Sequence, residues 1–458
     1  MMTFCKYNSF VTLIRKDYAS LGSYYIKTFG CQMNEHDSEV LAGVLEEMGY
    51  APVAESEKAD IILLNTCCVR ETAENKVFSF LGRLRAQKAK NPELIIAICG
   101  CMPQQKGMAS RIRHLFPHVD LVFGTHNLHR LEEHIVKITG KREPVTEIWP
   151  VPRGIAEGLP VKRKAGISAW VTIMYGCDNY CTYCIVPYVR GRERSRNPEE
   201  IIAEVTKLGE NGFKEVVLLG QNVNSYGKDL DQKLDFSGLL ERLEDLNGIL
   251  RIRYMTSHPR DFNNTLIQTI ASSGKVCEQF HLPVQAGSNQ ILKRMNRGYT
   301  REEYLRLIKN IKKLLPRSTV TTDIMVGFPN ETEEDFEQTL DLVRQVRFDS
   351  AFTFVYNNRP GTPASEMAGQ VPGEVKKRRI QTLIKLQNDI SLEKNREAVG
   401  QIEEILVEGE RMKNERFLCG RNRGGKMVVF PGEQSLIGHI VPVTINSAHL
   451  TYLVGRRA

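Results

Sequence analysis

Three cysteines stand at C-x3-C-x2-C spacing in Met174-Tyr175-Gly176-Cys177-Asp178-Asn179-Tyr180-Cys181-Thr182-Tyr183-Cys184, directly after the strand-like run 169–174. Three thiolates can hold three corners of a 4Fe–4S cube and leave the fourth iron without a protein ligand. An open iron is a place for chemistry, whereas four cysteines would close the site into a wire or a staple. A zinc site would want a fourth Cys or His close by, and the loop holds none. The chain has eleven cysteines, an odd number without a secretory context, which favours a reduced compartment and argues against a disulfide.

A second set of cysteines is spread through the first third of the chain: Cys31 in TFGCQMN, Cys67 in NTCCVRETAENK and Cys101 in CGCMPQQ. Each follows an apolar run that reads as a strand (24–29, 61–65 and 94–98), with a fourth such run at 119–123 and helical patterns between them. Strands and helices alternating in this way predict an open parallel α/β sheet, and ligands bind at the carboxyl edge of such sheets. Successive cysteines are about one βα unit apart, so folding can gather them. Spacing alone leaves two readings open, a second cluster or small apolar residues ending their strands. Cys68 and Cys99 are spare by this reading, and Cys277 and Cys5 are ordinary residues.

The elements around the C-x3-C-x2-C loop repeat the same pattern. Strands are predicted at 169–175, 214–219, 251–256, 277–282, 319–326 and 350–356, with helices between. Six βα units fall short of an eight-unit barrel, so a partial (β/α)6 barrel is expected, with its site on loops at the strands' carboxyl ends. Those loops are polar: LLGQNVNSYG, MTSHP, HLPVQAGS and DIMVGFPNET. Gln221, Asn222 and Asn224 offer amides suited to an amino acid or a ribose. His258 and His281 could be general bases, but each reads more simply as a strand-end histidine that packs and hydrogen-bonds. From Gly400 the apolar period changes to two, and about five short strands predict a small OB-like β-barrel. Between 411 and 426 the basic residues Arg411, Lys413, Arg416, Arg421, Arg423 and Lys426 face Glu415 alone. Such a run is either a solvated face or, beside Phe417 and Phe430, an RNA-binding one. The expected organisation is α/β: an N-terminal domain over 22–140, a proline-rich linker over 141–165, the central barrel over 166–395 and the small barrel over 396–458.

Composition agrees with a globular, cytoplasmic protein. Hydrophobic residues make up 41% and charged ones 25%. No apolar run approaches the roughly 18 residues of a membrane span, and the first 22 residues lack the apolar core of a signal peptide. The net charge of +8 permits a polyanionic partner without demanding one.

The words MYGCDNYCTYCIVPYVRGRERSR resemble the radical S-adenosylmethionine (SAM) signature, and more closely the methylthiotransferase family. The resemblance extends to TFGCQMN, NTCCVRE and GCMPQ at the N-terminus and to the TRAM domain in the tail, so it covers the chain from about residue 22 onward. It implies two 4Fe–4S clusters, one held by Cys177, Cys181 and Cys184 and an auxiliary one held by Cys31, Cys67 and Cys101. It also implies SAM near Tyr183, Gln221, Asn222 and Asp323, and RNA contacts through Arg421, Arg423 and Lys426. In that family the open iron chelates SAM, an electron splits it to a deoxyadenosyl radical, and sulfur leaves through the auxiliary cluster. The implied reaction inserts a methylthio group at C2 of N6-isopentenyladenosine, the base 3′ of the anticodon, using two SAM molecules and an external one-electron reductant. A monomer acting on the tRNA anticodon stem-loop is expected. Sister enzymes acting on threonylcarbamoyl-adenosine or a ribosomal-protein aspartate are the near alternative. A non-catalytic two-cluster electron carrier or RNA-binding protein is the distant one, and it would not cleave SAM.

Overall fold

The computed structural model describes residues 21–68, 71–411 and 417–458, so Cys5, Lys413 and Arg416 lie outside the described residues. The chain forms two compact units: one runs to Pro150 and takes in Leu159–Lys162, and the other comprises Val151–Gly158 and Arg163–Ala458.

In the first unit, β1 (Gly22–Phe29), β2 (Tyr50–Pro52), β3 (Ile61–Thr66), β4 (Ile95–Gly100), β5 (Leu121–Phe123) and β6 (Val145–Glu147) form one sheet in the order β2-β1-β3-β4-β5-β6. Every pairing is parallel. The central strands IILLNT and IIAICG are buried at every position, as strands covered on both faces must be. Leu41 and Leu45 of the helix Gln32–Glu47 and Leu131 and Ile135 of Leu131–Lys141 pack with Leu63, Ala97 and Phe123 of the sheet. Two strands of this sheet escaped the sequence reading, and both are three-residue edges. β2 carries Pro52, which only an edge tolerates, and β6 sits inside the segment expected to be linker.

In the second unit, β7 (Ser168–Thr172) is followed by the short antiparallel pair β8 (Met174–Tyr175) and β9 (Arg194–Ser195). Next come β10 (Glu215–Leu219), β11 (Arg251–Tyr254), β12 (Gln279–His281), β13 (Thr319–Val326) and β14 (Ser350–Val355). β7, β10 and β11 form one parallel sheet and β12, β13 and β14 another. A parallel bridge from Ile252 to Val276 joins them. The six strands therefore run in sequence order around an open, partial barrel. Its core joins Val171, Val216, Ile252, Phe280 and Val320 to apolar faces of the helices Pro198–Glu210, Asn264–Ser272 and Arg301–Leu314. The helices start where side chains can cap them: Thr300 with Glu303, and Thr332 with Asp335, form capping boxes.

The helix Gly373–Arg396 leads into β15 (Ile402–Glu410), β16 (Phe417–Arg421), β17 (Met427–Pro431), β18 (Ile440–Ala448) and β19 (Leu453–Arg457). These close into a five-stranded barrel in the order β15-β16-β17-β19-β18 around Ile405, Val407, Leu418, Phe430 and Val443. The β16–β17 turn docks against the amino ends of the central strands. Arg251 donates to Glu404 O (2.8 Å) and Arg421 O, and Arg253 donates to Asn422 O (2.7 Å) and Arg423 O (3.0 Å). Thr319 Oγ1 donates to Gly424 O (2.6 Å). Arg253 also meets Glu215 at 2.6 Å, so the buried guanidinium is paired as well as hydrogen-bonded.

Candidate active site

The thiol loop begins where β8 ends, on the carboxyl side of the barrel and opposite the docked turn. Gly176 has φ +81, and a side chain there would meet Arg192 O at 2.0 Å, so only glycine lets the chain turn. Its N–H donates to Gln221 Oε1 (2.5 Å), and Cys177 N–H to Gly191 O (3.1 Å). Tyr180 is held left-handed at φ 46 while Asn296 Nδ2 donates to its carbonyl (3.1 Å) and to that of Asn179 (3.2 Å). Thr182 bonds Met295 O through its N–H (3.1 Å) and Arg294 O through its hydroxyl (2.9 Å). The loop is tied at many points, and its strained residues persist because their surroundings over-determine them.

All three sulfurs receive N–H donors, Cys184 from the Val186 backbone and the other two from side chains. Asn179 Nδ2 lies 3.3 Å from Cys177 Sγ, and Arg260 donates to the Asn179 carbonyl oxygen and so orients that amide. Arg297 Nη1 lies 3.2 Å from Cys181 Sγ and 3.4 Å from the Tyr183 hydroxyl. Burial pushes the Cys177 thiol up to about 11, and burial followed by the charge of Cys181 pushes Cys184 up to about 12. Among the described residues no three His, Cys, Asp or Glu side chains converge tightly enough to hold a single metal ion. A four-iron cube spaces its thiolates more widely than one ion does. Three free cysteines on one loop, with donors aimed at their sulfurs, suit the cube.

The rim beside this loop holds buried polar atoms with no hydrogen-bond partner among the described residues: both amide atoms of Asn224, Ser257 Oγ and His258 Nε2. Buried polar groups need partners, so a polar ligand fits here. Burial, with help from Arg297, Arg260 and Lys228, pushes His258 down to about 2, which keeps it neutral and makes it a poor proton acceptor. Of the residues expected near SAM, Gln221 pins Gly176 and Tyr183 touches Arg297. Asn222 ties the rim together, donating to Asp261 (2.8 Å) and accepting from His258 N–H (3.1 Å). Asp323 stands apart, 3.5 Å from His281 across β12 and β13. Sequence reasoning missed Arg297, Arg260 and Asn179. The run Arg294-Met295-Asn296-Arg297-Gly298 was the available signal, since an arginine between residues at φ 57 and φ 69 is held by a fixed turn.

In the first unit, register gathers the other cysteines. Phe29 pairs with Thr66, and Thr66 with Gly100, so Cys31, Cys67 and Cys101 follow the ends of three adjacent strands. Gly100 has φ +95, and a side chain there would strike Asn65 Oδ1 and Thr66 O at 2.5 Å. A buried network holds the edge: Asn34 Nδ2 to Asn65 Oδ1 (3.0 Å), Asn65 Nδ2 to Ser38 Oγ (3.0 Å) and Thr66 Oγ1 to Cys99 O (2.6 Å). Cys31 is exposed, while Cys67 and Cys101 are 7% exposed. Cys68 is not turned away from this edge. Its thiol is hydrogen-bonded to Cys101, an interaction that with burial raises its pKa well above the usual thiol value.

The expected RNA-contacting run also needs correction. Arg423 donates to Glu278 (2.8 Å), Gly274 O (2.6 Å) and Val276 O (2.7 Å), and Lys426 lies 3.2 Å from Asp349. Both charges are neutralised in the seam between the two barrels. Arg421 pairs with Glu408 at 2.6 Å and keeps 42% of its side chain exposed.

Fold and thiol loop together define a radical SAM enzyme. A Radical SAM superfamily model matches residues 171–343, one described as Uncharacterized protein family UPF0004 matches 23–124, and a TRAM domain model matches 396–457. The chain resembles in fold the radical SAM methyltransferase TsrM of Kitasatospora setae, with a TM-score of 0.56 at 14% identity, covering 75% of this chain and 77% of that one. That likeness is one of fold. The tRNA-2-methylthio-N(6)-dimethylallyladenosine synthase of Pelotomaculum thermopropionicum is 68% identical over 94% of this chain and 97% of its own. That of Carboxydothermus hydrogenoformans is 58% identical over 94% and 98%. The chain belongs to the family of tRNA-2-methylthio-N(6)-dimethylallyladenosine synthases.

Proposed function

We propose that this protein converts N6-isopentenyladenosine beside the tRNA anticodon to its 2-methylthio derivative, in the cytoplasm and as a monomer, with electrons from an external one-electron reductant. The observation that carries this reading is 68% identity, over nearly the whole of both chains, to a relative of that name. The C2–H bond of an aromatic base is neither acidic nor electrophilic, so acid–base groups have little purchase on it. When bound, a cluster and SAM supply the radical chemistry that the protein's own side chains lack.

The chain's residues bind and orient. Cys177, Cys181 and Cys184 hold the catalytic cluster on a loop fixed by Gln221, Asn296 and Thr182. Cys31, Cys67 and Cys101 would hold an auxiliary cluster, which when bound would supply the sulfur. The unpartnered groups of Asn224, Ser257 and His258 mark the rim where SAM and the base would be received, Gln221, Asn222 and Tyr183 frame it, and Asp323 lies farther along the barrel beside His281. Neutral His258 is not the final proton acceptor. The small barrel holds the tRNA body at the end bearing Arg411, whose guanidinium lies 4.1 Å from the Tyr452 ring, which itself stacks on His449 at 4.4 Å. In this strand order that end carries the loops by which OB-like barrels grip oligonucleotides.

Nucleoside mass spectrometry of tRNA from cells with and without the protein tests the reaction. Loss of the 2-methylthio mark from isopentenyladenosine is expected, and an unchanged mark would refute it. Replacing Cys177, Cys181 and Cys184 together with Ala should leave about half of the roughly eight irons of two full cubes and abolish deoxyadenosine formation. Undiminished SAM cleavage by that variant would sink the assignment of the catalytic loop.

A further inference from the structure

Arg297 is an expensive residue to bury, at 4% exposure, unless its charge has a task. Its fork is fully engaged. Nη2 donates to Pro283 O (2.5 Å), Nε to the Tyr299 hydroxyl (3.0 Å), and Nη1 to Cys181 Sγ (3.2 Å). The Tyr299 hydroxyl lies 3.0 Å from Val284 O, its acceptor there, so the tyrosine braces the arginine from below. Among the described residues no carboxylate hydrogen-bonds this guanidinium, so the partner that takes on a negative charge, by becoming a thiolate on binding iron, is Cys181.

We propose that Arg297 is a positioning residue that sets the reduction potential of the cluster on Cys177, Cys181 and Cys184, and that it does so through its charge at the Cys181 sulfur. This rests on the reading of that loop as a cluster site. Adding an electron to a cube held by thiolates increases its negative charge, and a fixed cation stabilises the reduced form more than the oxidised one. Hydrogen bonds to the sulfurs act in the same sense. Asn179, a neutral donor at Cys177, contributes the weaker share.

The test is an EPR-monitored redox titration with dithionite on the full chain carrying Cys31, Cys67 and Cys101→Ala, which isolates the one cluster. Arg297→Gln keeps a donor and removes the charge, whereas Arg297→Lys keeps the charge and loses the fork. In Arg297→Gln the ratio of reduced to oxidised cluster at a fixed potential should fall about tenfold, equal to ~59 mV for one electron. Arg297→Lys should recover most of that loss. An iron-loaded Arg297→Gln with an unchanged potential would overturn the proposal. So would failure of both variants to load iron, because the guanidinium would then serve only the fold of the loop. Absence of iron in the Arg297-intact protein would overturn the cluster reading itself and take this proposal with it.

Discussion

Cys67 and Cys68 are adjacent and both buried, and the Cys68 thiol is hydrogen-bonded to Cys101, so burial does not separate them. What does is the backbone. Cys67 N–H donates to Phe29 O at 2.7 Å, which fixes it at the meeting of β1 and β3, the position given to it in the proposed Cys31–Cys67–Cys101 triad. Cys68→Ser should therefore retain the auxiliary cluster, while Cys67→Ser should lose about half the iron and all methylthio product. The reverse result would show the motif read one residue out of register. His258 gives a pH prediction. Its pKa is near 6.5 unfolded and is pushed down to about 2 when folded, so between those values only the unfolded chain takes up the proton. Stability is fully present above 6.5 and is lost as pH falls toward 2, by about 2 kcal/mol between pH 7 and pH 5. His258→Asn should remove that share. Urea unfolding at the two pH values measures it, and equal losses in both proteins would contradict the burial argument.

The β16–β17 turn works as an element because parallel strands present all their amino ends on one side. Glu215, Arg251, Gln279 and Thr319 are each the first residue of a central strand, and Glu278 and Asp349 immediately precede one. Into this rim the turn offers backbone carbonyls to Arg251, Arg253 and Thr319, and its own Arg423 and Lys426 to Glu278 and Asp349. Arg253 is the centre of the seam. Arg253→Ala leaves Glu215 without its cation and two carbonyls without donors, and breaking one side of a buried pair costs about 3–5 kcal/mol. Thermal or urea unfolding should show a loss of that order. A loss below about 1 kcal/mol would mean the barrels dock chiefly through apolar contact.

For the whole molecule, docking decides which part of the small barrel can meet RNA. The Arg421–Lys426 turn is committed to the seam, and the opposite end carries Arg411, His449 and Tyr452. Arg411→Ala with Tyr452→Ala should weaken tRNA binding about tenfold, since one stacked base is worth about 1–3 kcal/mol. The slope of log affinity against log salt should fall by about one, because one fewer phosphate is neutralised. Lys426→Ala should leave the slope unchanged. If binding of the Arg411/Tyr452 variant matched the wild type across the salt series while Lys426→Ala flattened it, the basic run would be the RNA face after all. Among the described residues no helix is long and apolar enough to cross a membrane.

The C-x3-C-x2-C loop, the six central strands and the five-stranded tail were legible in the sequence because each is a local pattern. Cysteine spacing lies within one loop, and apolar periodicity lies within one element. β2 and β6 were not legible, because three-residue edge strands take their hydrogen bonds from a neighbour and carry no period of their own. The same holds for charge. In sequence Arg423 and Lys426 were part of a basic run opposed by Glu415 alone, since Glu278 and Asp349 lie 145 and 77 positions away and only the fold brings them together. Arg297 lies 116 positions from Cys181 and was silent for the same reason. Sequence by itself determined where the clustered cysteines fall and which longer segments form strands. Tertiary structure decided which charges are spent inside the protein and which remain for a partner, because pairing depends on distance in space.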